Sequence, residues 1–129
     1  MRRAFFLFLS ASLLAGCSDA CQNTVVDQKR APDDRHFVVM FQRDCGATTG
    51  FSTQLSVLED GEQPTGSGNA FRADDDHGAA RAGGWGGPWA ETRWLAADHL
   101  LVRYAAKSRI FRQADQVDGV KITFAATTP

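Results

Sequence analysis

The sequence has little of what defines many other classes of protein. Its 129 residues include three cysteines, three histidines and one tyrosine, and after residue 16 no apolar run approaches the ~20 residues of a membrane-spanning helix. No long stretch repeats apolar residues at helical spacing, which argues against a helical bundle. A formal net charge of −1 gives no electrostatic reason to bind nucleic acid. The length allows one globular domain only.

The first 16 residues form a targeting segment that we exclude from the fold. Arg2 and Arg3 precede an uncharged apolar run of about a dozen residues, which is too short to cross a bilayer as a helix. A basic start followed by such a run is typical of a secretory signal peptide. The strongly apolar run favours the general secretory route over the twin-arginine route, which Arg2-Arg3 also resembles.

This segment ends in Leu14-Ala15-Gly16-Cys17, which resembles the lipobox of bacterial lipoproteins. The resemblance implies cleavage before Cys17, a diacylglycerol on its sulfur and an acyl chain, such as palmitate, on the new amino terminus. At ~0.8 kcal/mol per buried CH₂, these chains would hold the protein on the lipid bilayer. We predict a signal peptide over residues 1–16 and one lipid-anchored domain over residues 17–129. The alternative is an ordinary signal peptide with a chance cysteine.

The residue after the cysteine bears on the location. Ser18 stands where aspartate is the familiar signal for retention in the inner membrane. We therefore expect a lipid-anchored protein of the bacterial cell envelope, in the outer membrane rather than the inner one.

Cys21 and Cys45 remain as a pair if Cys17 carries lipid. In an oxidising compartment a disulfide is the default. It would close a loop of roughly two dozen residues, for which the chain-entropy model gives about 3 kcal/mol of stabilisation. The alternative is that Cys45 is a thiol nucleophile, which would need a nearby base such as His77.

The pattern of the mature chain predicts an all-β fold. Residues 36–43 are apolar, β-branched and aromatic, and residues 51–57 and 120–124 alternate apolar with polar side chains, as half-buried strands do. Asp60-Gly61 and Asp118-Gly119 mark turns. We expect six to seven short strands in a single antiparallel meander or small sandwich, because the connections are short.

Two groups of side chains are candidate binding sites. The dense acidic cluster, at the start of a long loop, offers oxygen ligands for calcium and a histidine for zinc, although it lacks the spacing of an EF-hand loop. A solvated acidic turn is the alternative. Three tryptophans near a glycine-rich segment could stack on sugars or peptides, or cap a small core. The candidate metal ligands are Asp74, Asp75, Asp76 and His77, and the candidate stacking residues are Trp85, Trp89 and Trp94.

Residues 43–53, RDCGATTGFST, are similar to a stretch in a family of small exported bacterial proteins and lipoproteins. The similarity extends through residues 74–78 and the strand at Trp94. That family has no defined activity, so the resemblance implies no catalytic residues and no cofactor. We expect a non-catalytic binding or accessory module whose partner is an unknown envelope protein or ligand. The alternative is an enzyme that uses Cys45 or a metal at residues 74–77.

Overall fold

The computed structural model describes residues 20–46 and 50–128, and this part of the chain is all β, as predicted. Cys17 and the signal segment lie outside these residues, so the lipid anchor stays a prediction. The described residues form nine strands: β1 (Gln22–Arg30), β2 (His36–Asp44), β3 (Ser52–Glu59), β4 (Phe71–Asp74), β5 (Ala90–Ala96), β6 (His99–Ala105), β7 (Arg109–Gln113), β8 (Gln116–Val117) and β9 (Val120–Thr127).

The strands form two sheets. The first has the order β1-β2-β3-β4-β7 and is antiparallel throughout, and the second has the order β5-β6-β9-β8. In the second sheet β6 and β9 run parallel, whereas the other pairs are antiparallel. The parallel pair arises because the chain leaves the second sheet after β6, adds β7 to the first sheet and then returns.

The main core lies between the two sheets. Phe71 of β4 contacts residues of the second sheet, with ring centroids 5.5 Å from Tyr104 and 5.8 Å from Phe124. Fully burying one such large apolar side chain contributes roughly 1.5–3 kcal/mol. The core side chains come from both sheets and include Val38, Met40, Leu55, Val57, Leu100, Val102, Val120 and Ile122. The molecule is therefore a sandwich.

The nine strands are two more than the upper end of the expected range of six to seven. β1 and β8 are strands that the sequence pattern did not indicate. β1 is an edge strand whose sequence, QNTVVDQKR, is mostly polar and whose side chains are exposed or half-buried. It forms because its main chain pairs with β2 along eight positions. β8 has two residues and pairs with β9 across the Asp118-Gly119 turn. Both turn residues have positive φ, 49° and 78°, as a tight hairpin requires.

The connection between β3 and β4, residues 60–70, covers part of the outer face of the first sheet. The Gly68 N–H donates to Gln54 Oε1 at 2.7 Å, and the Asn69 N–H donates to Ser56 Oγ at 3.2 Å. The Asn69 amide accepts from the Val57 N–H and donates to the Val57 carbonyl, as the main chain of a neighbouring strand would. β3 is consequently buried on both faces, although its alternation predicted one exposed face.

Candidate functional site

A cleft of about 630 Å³ opens on the outer face of the first sheet, beside residues 60–70. Side chains of β2, β3 and β4 form its floor. Its rim includes the start of β1 and the end of β2 on one side, and the turn after β4 with the start of β7 on the other. A volume of this size is typical of sites for small molecules.

Cys21 and Cys45 line one side of the cleft and form the predicted disulfide. The pairing of Gln22 with Asp44 continues by one step and places the two cysteines opposite each other, with Cα atoms 4.0 Å apart. This is well inside the ~7 Å limit for a bridge. Because Cys45 is bonded to Cys21, it has no thiolate to act as a nucleophile.

Arg43 forms part of the floor and is 7% exposed. It follows the apolar run of β2 and points to the outer face. Its Nη1 donates to Asn23 Oδ1 at 2.7 Å and to the Gly66 carbonyl at 3.1 Å. These bonds join β1, β2 and the covering connection, and they hold a positive charge in a place shielded from water.

Arg72 of β4 also lines the cleft, between Gln54 of β3 and Arg112 of β7 in the register of the sheet. Arg72 is half-buried, and its buried Nε has no hydrogen-bond partner. Within residues 20–46 and 50–128, Arg43 and Arg72 are the two Lys or Arg side chains that are not exposed. Both line this cleft, which is therefore positively charged at its floor.

Asp74 and Arg109 form an ion pair at the opposite rim. Arg109 donates from Nε and Nη2 to both carboxylate oxygens of Asp74, at 2.5–3.1 Å. Chiefly through this bond, and further through the Asp76 N–H, the pKa of Asp74 lies below its ordinary value of 3.8 although partial burial opposes the shift. The same pair raises the pKa of Arg109. Asp74 is thus ionised and already paired.

The turn after β4 does not bring the four candidate metal ligands together. Asp76 and His77 have left-handed φ values of 50° and 57°, and the Asp74 carboxylate is bonded to Arg109. In the part of the chain that the structure describes, no group of three or more His, Cys, Asp or Glu side chains is arranged to hold a metal ion. The metal site at residues 74–77 stays a prediction, and so does its alternative, a solvated acidic turn.

Each of the three tryptophans has a partner within the protein. Trp85 donates from Nε1 to Thr53 Oγ1 at 2.8 Å and packs against the core. Trp94 also packs there and donates to the Lys29 carbonyl at 3.0 Å.

The ring of Trp89 lies under the guanidinium groups of Arg81 and Arg103, 4.4 Å and 5.9 Å from its centroid. None of the three tryptophans lines the 630 Å³ cleft. Their role in ligand binding stays a prediction.

Sequence reasoning missed the arginines of the cleft. A signal for Arg72 was present, because Phe71 and Ala73 on either side of it are apolar and enter the core, which directs Arg72 to the outer face. Nothing local indicated that β7, more than thirty residues later, pairs with β4 and completes the rim.

Within residues 20–46 and 50–128, the chain contains no helix long and apolar enough to span a membrane. Comparisons with family models, curated proteins and solved structures find no match to this chain.

Proposed function

We propose that the protein is a bacterial envelope lipoprotein, anchored in the outer membrane through acylated Cys17, that binds the anionic group of a ligand in its cleft without catalysing a reaction. The main support for a ligand in the cleft is the side chain of Arg72, whose buried Nε has no hydrogen-bond partner among the described residues. A guanidinium with a buried, unpartnered N–H has lost hydration without replacing it, which costs free energy. The same guanidinium lines the cleft and forms no hydrogen bond with the described residues, so its Nη groups are the donors that an anion in the cleft would meet.

Arginine suits this role because its planar group presents several N–H donors in a fixed geometry that matches carboxylates and phosphates. Arg43 adds a second shielded positive charge to the same floor. Asp74 neutralises Arg109, so the free positive charge is at Arg72 rather than at the rim.

Binding is better supported than catalysis. A thiol mechanism lacks its nucleophile because Cys45 is bonded to Cys21, and the acidic turn does not assemble a set of metal ligands. The anchor is supported by the resemblance of Leu14-Ala15-Gly16-Cys17 to a lipobox behind a short apolar segment.

The anchor is tested by mass spectrometry of the amino-terminal peptide and by membrane fractionation. The Cys17→Ser variant should remain an uncleaved or soluble species and lose stable attachment to membranes. An unmodified Cys17 in the mature protein would contradict the proposal.

The ligand site is tested by thermal unfolding of the detergent-solubilised lipoprotein in the presence of inorganic phosphate. At about ten times the dissociation constant, bound phosphate should stabilise the protein by ~1.4 kcal/mol, or several degrees in Tm. Arg72→Gln should abolish the shift. The matched control is Arg93→Gln, at an exposed arginine of the second sheet, which should retain it. Equal shifts in both variants would place binding elsewhere.

A further inference from the structure

The cleft lies at the anchored end of the domain. Cys21 lines it and follows Cys17 by four residues, a length of chain that spans at most ~14 Å. The opposite end of β1 is about 26 Å away at ~3.3 Å per residue, where Lys29 contacts Trp94. If Cys17 is acylated, as proposed above, the cleft is close to the membrane surface.

An exposed aromatic side chain accompanies the cleft. Phe111 lines it and is 61% exposed. It is the most exposed of the four large apolar side chains that are exposed in the described part of the chain. Apolar side chains placed beside cationic ones are typical of surfaces that enter the headgroup region of a bilayer.

The cleft also carries an acidic group that forms no hydrogen bond or ion pair within the described residues, although it interacts electrostatically with Arg109. The half-buried side chain of Asp75 lines it, and no residue of the described ranges forms a hydrogen bond or an ion pair with the Asp75 carboxylate or with the Arg72 guanidinium. Two opposite charges in one cleft that do not pair with each other suit a ligand that carries both charges.

We propose that the cleft binds the headgroup of a zwitterionic phospholipid of the membrane that holds the anchor. The phosphodiester of an ethanolamine headgroup pairs with Arg72 and its ammonium group with Asp75, while Phe111 contacts the lipid beneath the headgroup. This assignment deepens the proposed function and rests on it. The lipid anchor holds the protein at the bilayer, and the cleft determines which face of the domain meets it.

The test uses the full lipidated protein with p-benzoylphenylalanine in place of Phe111, in vesicles of phosphatidylethanolamine and phosphatidylglycerol. Irradiation should give a phosphatidylethanolamine adduct, identified by mass spectrometry. The same photoreactive residue in place of Leu95 is the matched control, because Leu95 is also apolar and exposed, at 48%, but follows Trp94 at the far end of the sandwich. It should give no phospholipid adduct.

Substitutions of Arg72 and Asp75 test the roles of the positive and the negative charge separately. Arg72→Gln should reduce the adduct at position 111 at least about tenfold, the effect of one lost charge-assisted hydrogen bond, while Arg72→Lys retains part of it. Asp75→Asn should preserve the adduct but remove the preference for phosphatidylethanolamine over phosphatidylglycerol. Circular dichroism on each variant verifies that the β fold is intact. A preference unchanged in Asp75→Asn would overturn the zwitterionic assignment.

A soluble headgroup distinguishes lipid from free phosphate. On the protein in maltoside detergent, glycerophosphoethanolamine should raise Tm at an about tenfold lower concentration than inorganic phosphate, because it engages one charge more. If phosphate alone is equally effective, the site takes a free oxyanion and the lipid assignment is wrong. A membrane-attached protein without a lipid adduct also overturns the assignment and leaves the anchor intact, whereas loss of membrane attachment contradicts the proposed function itself.

Discussion

The outer faces of the two sheets are built on different principles. On the first sheet, Gln54 and Ser56 are polar yet buried, with 7% and 4% exposure, because residues 60–70 cover them. On the second sheet, Arg93, Arg103 and Lys121 are exposed to solvent. Part of the outer face of the first sheet is therefore buried, whereas the outer face of the second sheet is exposed to solvent.

The difference shows where a polar contact matters. Water satisfies the side chains of the second outer face, so their contacts contribute little. Beneath residues 60–70, on the first outer face, water is excluded, and each polar group there needs a partner within the protein because an unsatisfied one costs about 1–3 kcal/mol. Arg72 departs from that rule at one place, and the departure identifies the cleft as the candidate site.

The largest effect is expected from the Cys21–Cys45 disulfide, which joins the residue before β1 to the residue after β2. Replacing both Cys21 and Cys45 by serine should lower the free energy of unfolding by about 2–5 kcal/mol, since the unfolded chain gains the freedom that the loop now restricts. Urea unfolding with and without reductant measures it. Reductant should destabilise the wild type and leave the double variant unchanged. A mature protein that titrates with two free thiols would contradict the disulfide.

The next effect tests the covering connection. Gly68 is buried, and a Cβ on it would lie 2.6 Å from the Leu55 carbonyl oxygen and 2.7 Å from that of Phe71. Gly68→Ala should therefore destabilise the protein by about 1–3 kcal/mol through overpacking against the main chain. Gly84→Ala is the control, because its Cβ meets no atom of the described residues within 4 Å. Equal unfolding midpoints for the two variants would show that the cover is loose.

A smaller effect is expected from the rim of the cleft, and it depends on pH. The pKa of Asp74 is lower in the folded protein than its ordinary value of 3.8, so its ion pair with Arg109 stabilises the fold fully above that pH. The contribution is lost as the pH falls through 3.8 toward the folded-state pKa. The stability difference between wild type and Asp74→Asn should therefore shrink in acid. Arg109→Gln should remove the same pH dependence, and additive effects in the double variant would refute the pair.

The smallest effect is expected on the solvent-exposed outer face of the second sheet. Glu91 and Arg103 form an ion pair there, with side chains 44% and 47% exposed. Glu91→Gln should change the free energy of unfolding by less than about 1 kcal/mol, and salt should reduce even that. Chemical unfolding at low and high ionic strength measures it. A change as large as that of Gly68→Ala would erase the distinction between the two faces.

Local sequence pattern predicted most of the fold and little of the site. The alternation in β3 correctly separated Leu55 and Val57 from Gln54 and Ser56, but not the burial of the polar pair, because the cover comes from a connection whose contacts are long-range. β1 escaped prediction because an edge strand is stabilised by main-chain pairing that its polar side chains do not reveal. The disulfide was predictable from compartment and cysteine number, whereas the partnerless Arg72 emerges only when β3, β4 and β7 are placed side by side.

The parallel pairing of β6 with β9 bears on how the chain acquires its structure. Between these strands the chain adds β7 to the other sheet, so the second sheet cannot be completed as a local hairpin. Pairings that join distant parts of a sequence slow folding, because the entropy of closing long loops is lost before the contacts form. We expect folding in milliseconds to seconds, the range of all-β sandwiches. A newly made chain that folds this slowly remains unfolded for longer, which suits the export through a secretory channel that we propose for it.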